Sequence, residues 1–347
     1  MEIPRVLFNS VAEVNGEDRA RAWEGALDFM YAELVDRWDL RPDPVPGSPW
    51  AGMESLVVPV LTREGYRAIL RFASPNRDNP QVHHQVLRAL RAWDGHGAVR
   101  VVEEDSSFRA TLQERLRSGV DLSTRPLAEV PAIWGQLSRS LRVTGGDGFV
   151  RVQDIAARFV ERLPERAALL RDFTEFRHSD ARILDIARAW GEQLAASPER
   201  TLLHADLHYY NILAGNPGPD GLATWKAIDP QPLTGPPAYT VAPVLWNRLA
   251  EIPVRGPAAQ AAWLRAFATD LCRHAEIDPQ YGMGAAVVRE VENMFWYLRA
   301  AGSARAAGDS TGAERSTGDA ARSLWVVRAL TGSDTHGTDA HRLKPLG

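Results

Sequence analysis

Leu202-Leu-His-Ala-Asp-Leu-His-Tyr-Tyr-Asn-Ile-Leu213 places a carboxylate, Asp206, and a carboxamide, Asn211, five positions apart in a polar turn between two apolar runs. Eighteen residues after Asn211 comes Ala227-Ile-Asp-Pro230, a short apolar strand ending in a second carboxylate, Asp229. Phosphoryl transfer uses such a set. One carboxylate accepts the proton of the attacking hydroxyl, while an amide oxygen and a second carboxylate hold the magnesium that bridges the nucleotide phosphates. Magnesium takes oxygen ligands and keeps several waters, so few protein groups suffice. Two other readings stand beside this one. An aspartate in a turn is commonly only a cap or an Asx-turn, and His208 reads as an ordinary loop histidine. His204, Asp206 and His208 also suit zinc or manganese in a metal-dependent hydrolase, but that leaves Asn211 and Asp229 without a role.

Working outward, the chain changes character near its first third. Residues 18–40 carry apolar side chains at helical spacing, and prolines 42, 44, 46 and 49 end that helix. Ser55-Leu-Val-Val-Pro-Val-Leu61 and Tyr66-Arg-Ala-Ile-Leu-Arg-Phe72 then form a β-hairpin about Arg63-Glu-Gly65, with Pro59 marking a bulge or edge strand. A helix over 79–95 and short strands over 98–102 and 108–114 follow. Beyond them helices dominate, near 127–142, 151–176, 180–196, 238–250, 257–275, 283–301 and 323–330. Residues 302–319 read as a polar loop, and 331–347 as a tail without a packing pattern. Strands first and helices later make an α+β chain with segregated elements.

The chain has 347 residues, more than one hydrophobic core normally serves, so two lobes are expected. Hydrophobic residues make up 45% and charged residues 24%, with a net charge of −4, which offers no basic footprint for nucleic acid. A lone cysteine, Cys272, excludes an internal disulfide framework. No signal peptide opens the chain and no apolar run approaches a membrane span, so the expectation is a cytoplasmic protein without membrane contact. Every basic residue except Lys226 and Lys344 is arginine, and no lysine precedes position 226. Trp93, Trp134, Trp190, Trp246, Trp296 and Trp325 fall in helical patterns and read as core. Glu290 and Glu292 read as a solvated helix face. Between 231 and 301, six acids balance six arginines, so no acidic surplus awaits a polycation.

His204-x-Asp-x-His-x-x-Asn211 followed by Ile228-Asp-Pro230 closely resembles the catalytic and metal loops of the aminoglycoside phosphotransferases, and most of all their streptomycin 6-kinase and hydroxyurea phosphotransferase branch. Ser55 to Leu61, Leu90 to Gly95, Gly97 to Arg100, Gln113 to Leu116, and Ala242-Pro-Val-Leu-Trp-Asn-Arg248 support the likeness, which runs in order through about residues 20–300. The resemblance implies a two-lobed, protein-kinase-like fold. It implies Asp206 as catalytic base, His204 as the residue ordering the catalytic loop, and Asn211 and Asp229 as magnesium ligands. It also implies ATP as donor, with the backbone of Glu114 to Leu116 meeting adenine at the hinge.

Several departures accompany the likeness. The family places a lysine on the third strand, where Ala68-Ile-Leu-Arg-Phe72 has Arg71, and a glutamate on the next helix, where Val82-His-His-Gln-Val86 has none. Arginine stays cationic and binds phosphate bidentately, but its fork is larger than an ammonium. Lys226 shares a strand face with Ile228, opposite Asp229. The family also reads Gly-Asp-Pro-x-Tyr-Asp where this chain reads Gly235-Pro-Pro-Ala-Tyr-Thr240. The second of those acids buttresses the catalytic loop in relatives.

These observations lead to a first lobe over 1–112, a hinge over 113–116, a helical lobe over 117–332 and a flexible tail over 333–347. The expected activity is ATP- and magnesium-dependent phosphorylation of a hydroxyl on a small molecule, an aminoglycoside or aminocyclitol by resemblance, in a monomer or weak homodimer. A catalytically weakened homologue that binds nucleotide or metabolite is the alternative that the departures raise.

Overall fold

The computed structural model describes residues 3–217 and 223–344. It divides into two units, Met1–Val120 with Leu213–Ile228, and Asp121–Ile212 with Asp229–Gly347.

The first unit opens with α1 (Arg5–Asn15) and α2 (Glu17–Arg37). They are separated by Gly16, whose φ of 88° an L side chain rarely adopts. Then come β1 (Arg41–Pro42), β2 (Trp50–Ala51), β3 (Ser55–Leu61), β4 (Arg67–Ala73), α3 (Val82–Trp93), β5 (Val101–Asp105) and β6 (Ala110–Glu114). Among the described residues the sheet runs β1-β3-β4-β6-β5, with β2 also on β3. The expected hairpin is β3–β4, with Leu61 opposite Arg67 and Gly65 at φ 82° in the turn. Pro59 donates no hydrogen bond, and it falls where the outer neighbour of β3 is broken: β2 pairs with Leu56 and Val57, β1 with Val60 and Leu61. Along β4, Ala68, Leu70 and Phe72 are buried in a core shared with Leu7, Val11, Leu27 and Leu34 of the two helices. Arg71 alternates onto the other face.

The second unit contains α4 (Val130–Ser140), β7 (Val150–Arg151), α5 (Val152–Arg166), α6 (Ala181–Ala195) and β8 (Thr201–His204). The hairpin of β9 (Ile212–Pro217) and β10 (Ala223–Ala227) follows in sequence. Residues 213–228 were expected in the helical lobe but group with the first unit. Ala214 bonds the backbones of Arg117 and Val120, and Ala227 bonds those of Gly97 and Val99, which explains the grouping. The second unit resumes with β11 (Pro232–Gly235), α7 (Ala242–Leu245), α8 (Pro257–His274), α9 (Pro279–Ala306) and α10 (Ser310–Thr331).

Three expectations fail here. The polar loop over 302–319 is helical almost throughout: α9 continues to Ala306, and α10 starts at Ser310 with Asp309 accepting from Gly312 N at 2.8 Å. The first half of α10 is largely open to solvent and buries only Ala313, Asp319 and Ala320, residues too small or polar to show an apolar period. The tail is packed as far as it is described, residues 345–347 lying outside. Ala340 is buried and donates to Gln260 Oε1 at 2.9 Å, Trp325 Nε1 donates to Thr338 O at 3.0 Å, and the Lys344 ammonium meets Asp319 at 2.6 Å.

Glu290 is the third. It is wholly buried rather than solvated, because α9 carries α10 against that side. Burial raises its carboxyl to about 7, against weaker opposing pulls from Ser323, Arg322, Arg289 and Asn293. The folded-state value lies above the ordinary 4.5, so the stability of the neutral acid is complete below about pH 4.5 and is lost as pH rises through about 7. Glu290→Gln is therefore expected to raise unfolding free energy by about 2–3 kcal/mol at pH 8 and to change little at pH 4, read by urea unfolding at both values. A variant less stable than the parent at pH 8 would contradict a neutral core acid.

Trp93, Trp134 and Trp325 are core, as expected, but Trp296 is 58% exposed. Among the described residues no helix is long and apolar enough to cross a membrane.

Candidate active site

The second unit has a three-stranded ladder, β7-β11-β8. In its antiparallel half His204 lies opposite Pro232, and Ala205 N donates to Gln231 O at 3.1 Å. The chain therefore leaves β8 toward Asp206 at the same end at which Asp229 and Pro230 lead into β11. Residues separated by more than twenty positions are thus brought together by one register. Asp229 is exposed and takes φ 48°. That left-handed conformation costs an L-residue roughly 1–2 kcal/mol, and aspartate is among the residues that tolerate it.

The loop from Asp206 to Asn211 is closed on itself. Asn211 Nδ2 donates to Asp206 O at 2.9 Å and to Asp206 Oδ2 at 3.1 Å. Asn211 N donates to His208 O at 3.1 Å, and Tyr210 N donates to His208 Nδ1 at 3.2 Å. Outside the loop, Trp134 Nε1 donates to Leu207 O at 3.1 Å, and the Arg248 guanidinium lies 5.0 Å over the buried Tyr209 ring. His208 caps the turn through the bond from Tyr210 N, as a loop histidine does, and its Nε2 lies 3.6 Å from Asp206 Oδ2. Burial pushes its imidazole below the usual range, and the carboxylates of Asp206, Asp229 and Asp121 pull against that. Three carboxylates thus act on one ring. His204 is buried at the end of β8, with its backbone in the ladder.

Thr240 does not reach the loop, whereas Arg289 does. Thr240 Oγ1 donates only locally, to Pro237 O at 2.8 Å. Arg289 of α9 instead donates to Ala205 O at 2.7 Å and to Tyr239 O at 3.1 Å, its guanidinium 4.8 Å over the Tyr239 ring and 5.6 Å from that of Trp246. The residue preceding Asp206 is therefore tied to a core helix by a cation. Sequence reasoning overlooked Arg289, Asp121 and Trp134, because each reaches the loop from a distant element and none stands in a local motif.

The donor set fits magnesium. Both bonds of the Asn211 amide nitrogen go to Asp206, which leaves Oδ1 as an acceptor, and Asp229 adds a carboxylate at the same end of the ladder. His204, Asp206 and His208 do not make a metal cage: among the described residues no three His, Cys, Asp or Glu side chains group so as to hold an ion.

In the first unit, Arg71 sits on the central strand β4 opposite Val57 and Thr111. His83 of α3 is pushed down to about 4 by burial, and further by the charges of Arg71, Arg109 and His84. Glu114 ends β6, its side chain accepting from Arg100 N at 2.8 Å and pairing with the Lys226 ammonium. Lys226 is thereby engaged.

A solved amicoumacin kinase, hAmiN in complex with AMP-PNP, Ca2+ and Ami, matches with a TM-score of 0.55 at 14% identity, over 92% of this chain and 98% of that one. The fold is thus the α+β, protein-kinase-like fold of small-molecule phosphotransferases. Residues 37–301 match the family model described as aminoglycoside/hydroxyurea antibiotic resistance kinase, and the chain belongs to that family. A streptomycin 6-kinase of Streptomyces glaucescens is 35% identical over 73% of this chain and 77% of its own. A hydroxyurea phosphotransferase of Kitasatospora aureofaciens is 37% identical over 71% and 68%. The protein is accordingly an enzyme, a small-molecule kinase.

Proposed function

We propose that this kinase transfers the γ-phosphoryl group of ATP, with magnesium, to a hydroxyl of an aminocyclitol or aminoglycoside. The observation that carries the reading is the β8–β11 register, which delivers Asp206, Asn211 and Asp229 to one end of one ladder. Asp206 takes the acceptor's hydroxyl proton as the oxygen attacks phosphorus; the bond from phosphorus to the β,γ-bridging oxygen breaks, and ADP leaves. Asn211 Oδ1 and Asp229 would hold the magnesium, which would supply neutralisation of the phosphate charge. Arg71 meets nucleotide phosphate in place of the family's lysine, and the backbone of Glu114 and Leu116 meets adenine. His204 supports the loop from beneath through the ladder. The acceptor class follows from the streptomycin 6-kinase at 35% identity, and the hydroxyurea phosphotransferase makes hydroxyurea the natural contrast.

The test is transfer of label from γ-labelled ATP to a panel of streptomycin, related aminocyclitols, hydroxyurea and nucleosides, with and without magnesium. Labelled acceptor that depends on magnesium is the expected result. Nucleotide binding without transfer to any acceptor would overturn the reading in favour of a weakened homologue, with Arg71 and Thr240 as the responsible departures.

A further inference from the structure

A serine, a histidine and an aspartate meet at the start of α6, outside the loop already described. Ser179 is exposed and lies in the turn over His178–Asp180 that leads into α6. Its Oγ is 3.3 Å from Nε2 of His336, a residue 157 positions away in the segment after α10. Nδ1 of the same ring lies 3.4 Å from Asp334 Oδ2. Asp334 Oδ1 accepts from His336 N at 2.7 Å, so one carboxylate faces both the backbone and the ring of this histidine. His336 takes φ 52°, a left-handed conformation that L-residues rarely adopt. The joint beneath is fixed. Arg328 of α10 donates to Asp180 at 3.0 and 2.6 Å and to Glu175 O at 2.6 Å, and both members of that ion pair are buried. Ser179 adjoins one member, and His336 follows the end of the helix that carries the other. Ser179 falls within the residues matched by the family model, 37–301, whereas Asp334 and His336 lie beyond them.

We propose that Ser179 is a nucleophilic serine, a second reactive site that takes the acyl group of a small activated carboxylic ester, with His336 as its base and Asp334 as the positioning residue. Each ring nitrogen then has its own task. A proton on Nδ1 faces Asp334, which leaves the Nε2 lone pair to accept from Ser179 Oγ. In the reaction Oγ attacks the carbonyl carbon, and its proton passes to Nε2. The imidazolium so formed lies between two carboxylates: Asp334 at Nδ1, and Asp180, whose Oδ1 is 3.7 Å from Nε2. The bond from the carbonyl carbon to the alcohol oxygen then breaks. The departing alcohol takes the proton from Nε2, and the acyl group stays on Ser179. Water attacks the acyl carbon in the second half, giving its proton to Nε2, which returns it to Oγ as the acid leaves. The first amides of a helix have no acceptor inside it. The turn that holds Ser179 therefore presents N–H groups to a carbonyl oxygen as it becomes negative. Asp334 is 75% exposed, so water screens its pull on the ring and its share is the smallest of the three.

Ser179 stands at the opposite end of α6 from the segment that enters β8 and leads to Asp206, so the site does not depend on the kinase reading. The full chain is treated with p-nitrophenyl acetate, without nucleotide. Release of p-nitrophenol is followed by absorbance, and the acetyl group is located by peptide mass spectrometry. The expected result is an acetyl group on Ser179 of the parent, and loss of the fast phase of release in Ser179→Ala. His336→Asn, chosen because asparagine tolerates the left-handed backbone, should slow acetylation of Ser179 by about 10²–10⁴-fold. Asp334→Asn should slow it by less. Melting temperatures should stay near that of the parent, because the Arg328–Asp180 pair is untouched in all three variants. Acetylation elsewhere with Ser179 unmodified would overturn the nucleophile. Equal rates of Ser179 acetylation in the parent and His336→Asn would overturn the activating pair.

Discussion

Asp206→Asn should lower kcat by about 10²–10⁴-fold, the usual contribution of a positioned general base. The substitution is nearly isosteric. An asparagine oxygen can still accept from Asn211 Nδ2, which lies 3.1 Å from Asp206 Oδ2, so the closed loop is kept while basicity is lost. Nucleotide affinity and melting temperature should therefore stay close to those of the parent. Single-turnover rates with saturating acceptor give the clearest measurement, since they isolate the chemical step from product release. A rate within a few-fold of the parent would remove Asp206 from the role of base. Hydrolysis that needs no ATP, lost together in Asp206→Asn and His208→Ala, would instead revive a metal hydrolase.

Arg289→Met should cost about 10²-fold in kcat, the scale of a misplacement of about 1 Å at a reacting group. Methionine keeps much of the stem but gives up both bonds to the backbone, at 2.7 Å to Ala205 O and 3.1 Å to Tyr239 O, and both ring contacts. Arg289 is a positioning residue, so the informative readout is a split: kcat falls while nucleotide KM holds. Arg289→Lys keeps a cation over the rings and one donor, and should recover part of the loss. A fall in melting temperature with unchanged kcat would mean that the arginine serves only packing.

Much of the architecture was readable because its signals are local. The β3–β4 hairpin announces itself by alternation and by a glycine in the turn, and the 206–211 loop by polar residues between apolar runs. The kinase-like class came from the resemblance of that loop to the aminoglycoside phosphotransferases. The unread features are tertiary. The first half of α10 reads as a loop because it is largely exposed and the few side chains it buries, Ala313, Asp319 and Ala320, carry no hydrophobic period. Glu290 looked solvated because a glutamate in a helix usually is; only the packing of α10 over α9 buries it. Trp296 looked like core because helical spacing alone does not tell which face is covered. The loop's clamp is Arg289, eighty-three positions beyond Asp206 and outside any local motif, so nothing near Thr240 announces it.

The two lysines of this chain have consequences for chemical labelling. Lys226 is paired with Glu114 and Lys344 with Asp319, and every other basic side chain except the histidines is an arginine. Reagents that tag kinases by acylating the amine beside the nucleotide phosphates find none on β4 here. An inventory of kinases built on such probes would pass over this enzyme even in a cell where it was abundant. A dicarbonyl directed at guanidinium groups, with nucleotide as protectant, is the reagent class matched to its chemistry.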